Sequence, residues 1–364
     1  MSLWVDKYRP KSLDQLNYHG TITQNLKALS KSGDFPHLLI YGPSGAGKKT
    51  RIYATLNEIF GTSVEKLKID VKTFVTSSNR KLEFNVLSSP YHLEITPSDM
   101  GNNDRVVIQD LLKDVASTEQ VDFTASTKQV KHRFKIVVIN EAESLSRDAQ
   151  AALRRTMEKY SSNIRLILVC NSISNIIPPI KSRTLLVRIP SPTVGEINGV
   201  LMNIVTKEGL KFTNNSEEQI VTFLNKVAES SNRNLRRALL AFETIAMQTD
   251  VINNANNSQQ LSVITLDWEA IIKNIAQTIR TSRTVATLAK IRVTFYELLS
   301  HCIPARVILK TLLFNLIAGY NSTITSQLVN VGATFDERLS LGQKSIFHLE
   351  GFVAKAMVVL ENNQ

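Results

Sequence analysis

Cysteine is nearly absent from this sequence of 364 residues, which holds only Cys170 and Cys302. Two cysteines so far apart exclude a disulfide framework and a cysteine-rich zinc site, and they favour a reducing compartment. The sequence also lacks any apolar run near the roughly 18 residues that a membrane-spanning helix needs. Its first residues lack the apolar stretch of a secretory signal. These absences predict a protein that is neither secreted nor inserted in a membrane.

Acidic side chains are fewer than basic ones, with 32 Asp and Glu against 43 Lys and Arg, and the net charge is +11. The imbalance is concentrated in residues 1–190, which hold 27 basic and 18 acidic side chains. Such an excess favours a polyanionic partner for the first part of the chain. A solvated basic surface would have the same composition, so charge alone leaves both interpretations open.

Short apolar strands alternate with amphipathic helical patterns in the first half of the sequence. Five strands are predicted, at residues 37–41, 91–95, 135–139, 165–170 and 185–189. The alternation predicts an α/β domain over 1–190, with a parallel sheet covered on both faces. Helical patterns then predict a small helical lid over 191–252, a polar linker over 253–266 and an all-α C-terminal domain over 267–364. The polar segment 121–133 is predicted to be a surface loop.

A glycine-rich loop follows the first strand and opens a helix, in the order Gly42, Pro43, Ser44, Gly45, Ala46, Gly47, Lys48. In this Walker A context the backbone amides cradle phosphates and the lysine reaches the outer ones. The next residue should be a serine or threonine whose hydroxyl binds Mg²⁺. Here it is Lys49, and Thr50 comes one residue late. The loop predicts a site for ATP or ADP, with Mg²⁺ doubtful because an ammonium cannot ligate a metal.

The strand at 135–139 is followed by Asn140 and Glu141. In a Walker B motif an acidic residue at the end of the strand helps to hold Mg²⁺. Asn140 replaces that residue, whereas Glu141 remains at the place of the water-activating base. Two metal-positioning groups, at Lys49 and Asn140, are thus missing at once. We expect no metal ligand here, a vestigial base at Glu141, and a site that binds nucleotide but does not hydrolyse it.

Further motifs carry a resemblance to a known family. They are the N-terminal box Trp4-Val5-Asp6-Lys7-Tyr8-Arg9-Pro10, the loop 42–50, Ser98-Asp99 with Arg105, the helical segment 148–158 and Ser182-Arg183. Over essentially its whole length the sequence resembles the small subunits of replication factor C, an AAA+ clamp loader. The two departures at Lys49 and Asn140 resemble the small subunit whose ATP site is degenerate.

The resemblance implies a nuclear, five-subunit, ATP-driven machine of DNA replication and repair. It opens the sliding clamp, proliferating cell nuclear antigen, and loads it onto primer–template DNA. The subunits form an incomplete ring with ATP sites at their interfaces, and the C-terminal domain is an oligomerisation collar. Two alternatives remain: an active AAA+ ATPase of another DNA-associated assembly, and a structural collar protein whose phosphate loop is a relic.

The resemblance also assigns roles to single residues. Arg183 would act in trans on the ATP of the neighbouring subunit, as an arginine finger. Asn171 matches the sensor-1 polar residue, and Arg236 matches the sensor-2 arginine of the lid. Four residues of the N-terminal box would line the adenine side: Val5, Tyr8, Arg9 and Pro10.

Two arginines at predicted helix starts, Arg105 and Arg147, are the DNA-binding candidates. Helix N-termini with a nearby cation suit contacts to the DNA phosphates, which carry no base sequence. Ordinary helix capping is the alternative role for these segments. We therefore expect binding that follows DNA structure and not its sequence.

Overall fold

The computed structural model describes residues 2–32, 35–75, 81–117, 134–161, 163–209, 217–247 and 266–362. The chain divides into two compact units, Met1–Val263 and Ile264–Gln364. The predicted loop at 121–133, and the predicted linker at 253–266 apart from Leu266, lie outside the described residues. In the described part of the chain, no helix has both the length and the apolar character that a bilayer crossing requires.

The first unit contains a sheet whose seven described strands run in the order β2-β3-β4-β5-β6-β1-β7. Their bounds are β1 Leu38–Tyr41, β2 Lys68–Val75, β3 Lys81–Ser88, β4 His92–Ile95, β5 Lys135–Ile139, β6 Ile164–Cys170 and β7 Leu185–Arg188. The five strands predicted from the sequence are β1, β4, β5, β6 and β7. Each of them pairs in parallel with its neighbours in this set, which confirms the predicted parallel core of the sheet.

The sheet is nevertheless mixed, because β2 and β3 pair in antiparallel fashion and extend it from β4. The sequence analysis did not predict these two strands, which add an antiparallel pair to the predicted parallel core. Strand β2 alternates polar residues with Ile69 and Val71, whose side chains are themselves exposed. A strand whose two faces are both exposed to solvent lacks the apolar run by which the other strands were recognised.

Nine described α-helices belong to the first unit: α1 Trp4–Lys7, α2 Gly20–Lys31, α3 Lys48–Phe60, α4 Asp104–Ser117, α5 Arg147–Lys159, α6 Pro178–Lys181, α7 Val194–Glu208, α8 Glu217–Ser230 and α9 Leu235–Met247. Alternate residues of the central strands enter two cores. Val137 and Ile139 of β5 pack with residues of α4 and α5, whereas Ile136 and Val138 pack with residues of α3. The central strand β5 is therefore buried on both faces, whereas the edge strand β7 exposes Leu185 and Leu186.

A third core joins α7, α8 and α9 to the N-terminal segment. The Trp4 backbone amide donates to the Glu243 carboxylate at 3.1 Å, and the Trp4 ring lies 5.7 Å from the Phe242 ring. Thr193 and Glu196 form a capping box that starts α7. The domain boundary predicted after residue 190 lies inside this first unit and stays a prediction.

The second unit contains five described helices: α10 Asp267–Thr281, α11 Val285–Ser300, α12 Ala305–Ile317, α13 Ser322–Leu341 and α14 Ser345–Asn362. Its core is built from residues that recur at helical spacing, among them Phe295, Leu312 and Phe352, which are fully buried. Arg306 of α12 makes two hydrogen bonds of 2.6 Å to Asp336 of α13. The predicted all-α character of this region is confirmed.

Candidate nucleotide-binding site

The glycine-rich loop connects the end of β1 to the start of α3. Gly45 and Gly47 have φ angles of 74° and 85°, a region that side chains disfavour. A Cβ atom on Gly45 would lie 1.7 Å from Asn234 Oδ1, and one on Gly47 would lie 2.1 Å from the Tyr18 hydroxyl. A side chain at either position would strain the backbone and displace Asn234 or Tyr18, so glycine is favoured and the loop keeps a bare backbone beside the N-terminus of α3. That terminus favours an anion through its free amides and its helix dipole.

The Lys48 ammonium is held at the mouth of this loop. It donates to the carbonyls of Gly42 at 2.6 Å and Pro43 at 2.9 Å, and to Asn171 Oδ1 at 2.8 Å. The Asn171 amide donates in turn to Glu143 Oε1 at 2.7 Å. Burial lowers the pKa of Lys48, and the Glu143 carboxylate opposes that shift. The lysine, the predicted sensor residue and Glu143 thus form one connected group at the ends of β1, β5 and β6.

The neighbouring lysine points to a different strand. Lys49 Nζ lies 2.6 Å from Glu94 Oε1 on β4, and the Asn140 amide donates to the same oxygen at 2.6 Å. The Tyr53 hydroxyl donates to the other Glu94 oxygen. Burial raises the pKa of Glu94, but the hydrogen bonds from its donors, Lys49 foremost, outweigh burial and lower it below its ordinary value. The carboxylate is therefore ionised and fully engaged.

The metal-holding positions do not fit Mg²⁺. An ammonium stands where the metal-binding hydroxyl is expected. Asn140 replaces the aspartate: its NH₂ group donates to Glu94, and its neutral Oδ1 is buried without a hydrogen-bond partner among the described residues. Glu141 accepts a hydrogen bond from the Ser98 hydroxyl at 3.0 Å and has a left-handed φ of 50°. Among the residues that the structure describes, no group of three or more His, Cys, Asp or Glu side chains could hold a metal.

Two cavities meet at the loop, one of about 400 Å³ and one of about 210 Å³. They share five lining residues: Arg9, Gly45, Gly47, Thr50 and Arg236. The larger cavity is lined by the other predicted adenine-side residues, Val5, Tyr8 and Pro10. The smaller is lined by further predicted residues, Ser44, Lys48, Lys49, Asn140, Glu141 and Asn171. Three residues of the loop, Gly42, Pro43 and Ala46, line neither cavity.

Family comparisons agree with this arrangement along the chain. Residues 268–364 match the model described as "Replication factor C subunit 3, C-terminal domain". Residues 199–247 match "RCF1/5-like, AAA+ ATPase lid domain", and residues 18–193 match "DNA polymerase III, delta subunit". Replication factor C subunit 5 of Saccharomyces cerevisiae is 54% identical, over 99% of this chain and 100% of its own length. The chain belongs to the replication factor C family of clamp-loader subunits.

A second replication factor C relative gives the same result. Human replication factor C subunit 3 is 46% identical over 99% of this chain and 96% of its own length. The resemblance deduced from the motifs is thereby confirmed. A solved structure of RuvB from Thermotoga maritima has a TM-score of 0.50 and 16% identity, covering 75% of this chain and 79% of that chain. This likeness shows the AAA+ fold alone.

Arg183 of this replication factor C chain lies outside both cavities, just after α6. Its guanidinium is 2.6 Å from Glu158 Oε1 and donates to the Pro179 carbonyl at 2.9 Å. The side chain is 38% exposed. The structure therefore does not bring Arg183 to the phosphate loop of its own chain.

Arg105 and Arg147 are exposed at the starts of α4 and α5. Buried Asp104 joins these starts, since its carboxylate accepts from the Ser146 backbone amide at 2.7 Å and from the Ser146 hydroxyl at 2.9 Å. The same carboxylate accepts from the Arg105 amide at 2.7 Å. Ser146 also caps α5 through the Ala149 amide at 3.1 Å. The two arginines thus sit on helix ends that are fixed to each other.

Sequence reasoning missed Glu94 and Glu143 as members of the site. Glu94 carried a signal, because a single acidic residue inside a short buried strand needs a partner. Glu143 stood next to the Walker B residues but gave no sign that it would face Asn171. Their place beside the phosphate loop follows from the pairing of β4, β5 and β6, which the local sequence does not reveal.

Proposed function

We propose that this chain is the replication factor C subunit whose own site holds ATP or ADP without hydrolysing it. The complete loader would be a hetero-pentamer in the nucleus that opens the sliding clamp and loads it onto primer–template DNA. Family membership supports the assignment to the loader. The observation that carries the inactive site is the pairing of Lys49 and Asn140 with Glu94 at the metal-holding positions.

Binding would rest on groups that the chain itself supplies. The loop amides, the N-terminus of α3 and Lys48 would hold the phosphates, and Arg236 at the second residue of α9 would reach them from the lid. The adenine would enter the larger cavity beside Val5, Tyr8 and Pro10. Lys48 would exchange its loop carbonyls for phosphate oxygens, which are stronger acceptors.

Hydrolysis in this site lacks its usual means of orienting water. Magnesium, where AAA+ sites bind it, neutralises charge on the transferred phosphoryl group. Here Glu94 accepts from the Lys49 ammonium and the Asn140 NH₂ group, which leaves one neutral amide oxygen for a metal, and Glu141 accepts from Ser98. Glu141 is therefore assigned as a vestigial base.

Arg183 would serve the neighbouring subunit. It is partly exposed and absent from both cavities of its own chain, which supports action in trans. An arginine finger stabilises charge that develops on the transferred phosphoryl oxygens. To reach a neighbour's ATP, the guanidinium would leave Glu158 for a more highly charged partner.

The basic first unit would face DNA through Arg105 and Arg147. Because both are exposed at helix N-termini fixed to each other by Asp104, they could contact successive phosphates of one backbone. Such contacts are independent of base sequence, as loading at any primer–template junction requires.

The purified full chain tests the inactive site. We expect it to bind ADP or ATP and to release phosphate negligibly, whereas Lys48→Ala should lose nucleotide because its ammonium is the principal phosphate contact. Bound nucleotide is measured after rapid gel filtration and turnover by steady-state phosphate release. Turnover of about 1 s⁻¹, at the low end for ordinary enzymes, would instead favour an active AAA+ ATPase. Absence of bound nucleotide would favour a relic loop in a structural subunit.

A further inference from the structure

The two substituted metal positions are joined by a third residue, Glu94. Its carboxylate is 11% exposed and accepts from Lys49, Asn140 and Tyr53, whereas the Lys49 side chain is 41% exposed. A buried carboxylate needs such partners, because an unpaired ion inside a protein is costly. Glu94 therefore fixes where the Lys49 ammonium lies.

The Asn140 amide is part of the same arrangement. An ionised carboxylate only accepts hydrogen bonds, so Asn140 presents its NH₂ group to Glu94 at 2.6 Å. An aspartate at position 140 would place a second carboxylate against Glu94, and two such charges repel. Glu94, Lys49 and Asn140 are therefore chemically matched: the lysine supplies the positive charge and the asparagine removes a competing negative one.

The ammonium lies on the phosphate side of the site. Lys49 and Asn140 line the smaller cavity together with Lys48 and Ser44, and Glu94 lies behind them, outside the lining. Strands β4 and β5 are in parallel register, with Glu94 opposite Val138. The Lys49 ammonium thus lies at the carboxyl ends of β4 and β5. In a Walker B motif, the metal-binding acid stands at the carboxyl end of β5.

We propose that the Lys49 ammonium, held by Glu94, is a built-in cation that replaces Mg²⁺, so that this site binds nucleotide without a divalent metal. The inference rests on the proposed nucleotide binding. An ammonium has three donors, and Glu94 takes one of them, which leaves donors for a phosphate oxygen. It cannot gather phosphate oxygens and water around one centre as a metal does. An ammonium in place of Mg²⁺ would therefore retain nucleotide binding and remove hydrolysis.

The test is a titration of the full chain with a fluorescent ADP analogue, in Mg²⁺ and in EDTA. The dissociation constant of the unaltered chain should agree within about twofold between the two buffers, a difference well under 1 kcal/mol. Lys49→Met, which keeps the length of the side chain, should weaken binding about tenfold in both buffers, because it removes a charged donor. Lys226→Met, an exposed lysine of α8, is the matched control and should change nothing.

Glu94→Gln tests the other half of the pair. In Lys49→Met the Glu94 carboxylate keeps the Asn140 and Tyr53 donors but loses its cation, and its charge then repels the phosphates. Adding Glu94→Gln should therefore restore part of the lost affinity. No recovery, or no effect of Lys49→Met, would overturn the proposal. A tenfold loss of affinity in EDTA for the unaltered chain would also overturn it, but the proposed nucleotide binding would still be supported. Failure to bind in either buffer would refute the proposed nucleotide site and the inference with it.

Discussion

Replacement of Arg183 by alanine separates action on a neighbour from a role inside this chain. Within the chain the guanidinium contacts Glu158 and the Pro179 carbonyl, and both charged side chains are more than a third exposed. Exposed ion pairs contribute about 0–1 kcal/mol. For the first unit, Met1–Val263, that loss would shift the midpoint of thermal unfolding by at most about 3 °C. The fold should therefore survive Arg183→Ala nearly unchanged.

The expected functional loss is much larger. An arginine finger contributes about 10³-fold or more at the site it serves. Other sites of the assembled loader continue to turn over, so the total rate falls by the share of the one neighbouring site. Nucleotide bound at this chain's own loop should be unaffected, since Arg183 lines neither cavity. Lys48→Ala should do the reverse, with nucleotide lost here and a smaller effect on total turnover.

The assay pairs two measurements on each mutant assembly: nucleotide retained by this subunit and ATPase activity stimulated by clamp. Glu158→Ala is the matched control, because it breaks the same ion pair but leaves the arginine in place. If Glu158→Ala reproduced the loss, Arg183 would act through its own chain. If Lys48→Ala removed more activity than Arg183→Ala, this chain's own site would be catalytic, and the interpretation of Lys49 and Asn140 would be wrong.

Two further predictions concern DNA contacts and pH. Arg105→Ala and Arg147→Ala should each weaken DNA binding of the loader by a similar factor on different DNA sequences. Each should also reduce the slope of log affinity against log salt concentration by about one phosphate contact. A loss confined to certain sequences would contradict contact with the DNA backbone. Burial lowers the pKa of His92 from 6.5 to about 4, and its Nε2 has no hydrogen-bond partner among the described residues. The unfolded state then binds more protons between these pH values, so the free energy of unfolding should fall by about 3 kcal/mol as pH drops from 6.5 to 4. His92→Gln should remove that dependence in urea titrations across this range, and an unchanged slope would refute it.

The central strands of the sheet, such as β5 and β6, were predictable because they are buried on both faces. Burial forces short, continuous apolar runs, as in 135–139, and the phosphate loop is marked by glycines at positive φ angles that other residues disfavour. The hairpin of β2 and β3 was missed because β2 has an exposed apolar face beside an exposed polar one. Strand β3 pairs with the free edge of β4, and β2 pairs with β3. These contacts depend on tertiary structure and are not visible in the local sequence.

Helix ends were predictable only within a residue or two. The sequence analysis recognised a helical segment at 148–158, and α5 runs from Arg147 to Lys159, with Ser146 as the capping residue. Its hydroxyl both caps α5 and donates to Asp104 of α4. A capping residue with a second, distant partner is determined by tertiary structure, so local propensity alone could not select it.

In the site, too, residues within a contiguous motif could be predicted, whereas partners distant in the sequence could not. Lys49 and Asn140 could be recognised as departures, because each stands at a fixed place in a contiguous motif. Their shared partner Glu94 could not, since positions 49, 94 and 140 become neighbours only through the order β4-β5-β6-β1 of the sheet.

That partnership changes what the two departures mean. Independent decay of a metal site would leave an unpaired lysine and an unpaired amide near the phosphates. Instead, the largely buried Glu94 carboxylate accepts from the Lys49 ammonium and from the Asn140 NH₂ group at 2.6 Å, and the Tyr53 hydroxyl donates to its other oxygen. Restoring one metal residue alone would therefore damage the site: Asn140→Asp sets two carboxylates together, and Lys49→Thr leaves Glu94 uncompensated. Electrostatics couples these positions as a set, which supports the proposal that the Lys49 ammonium takes the place of the metal.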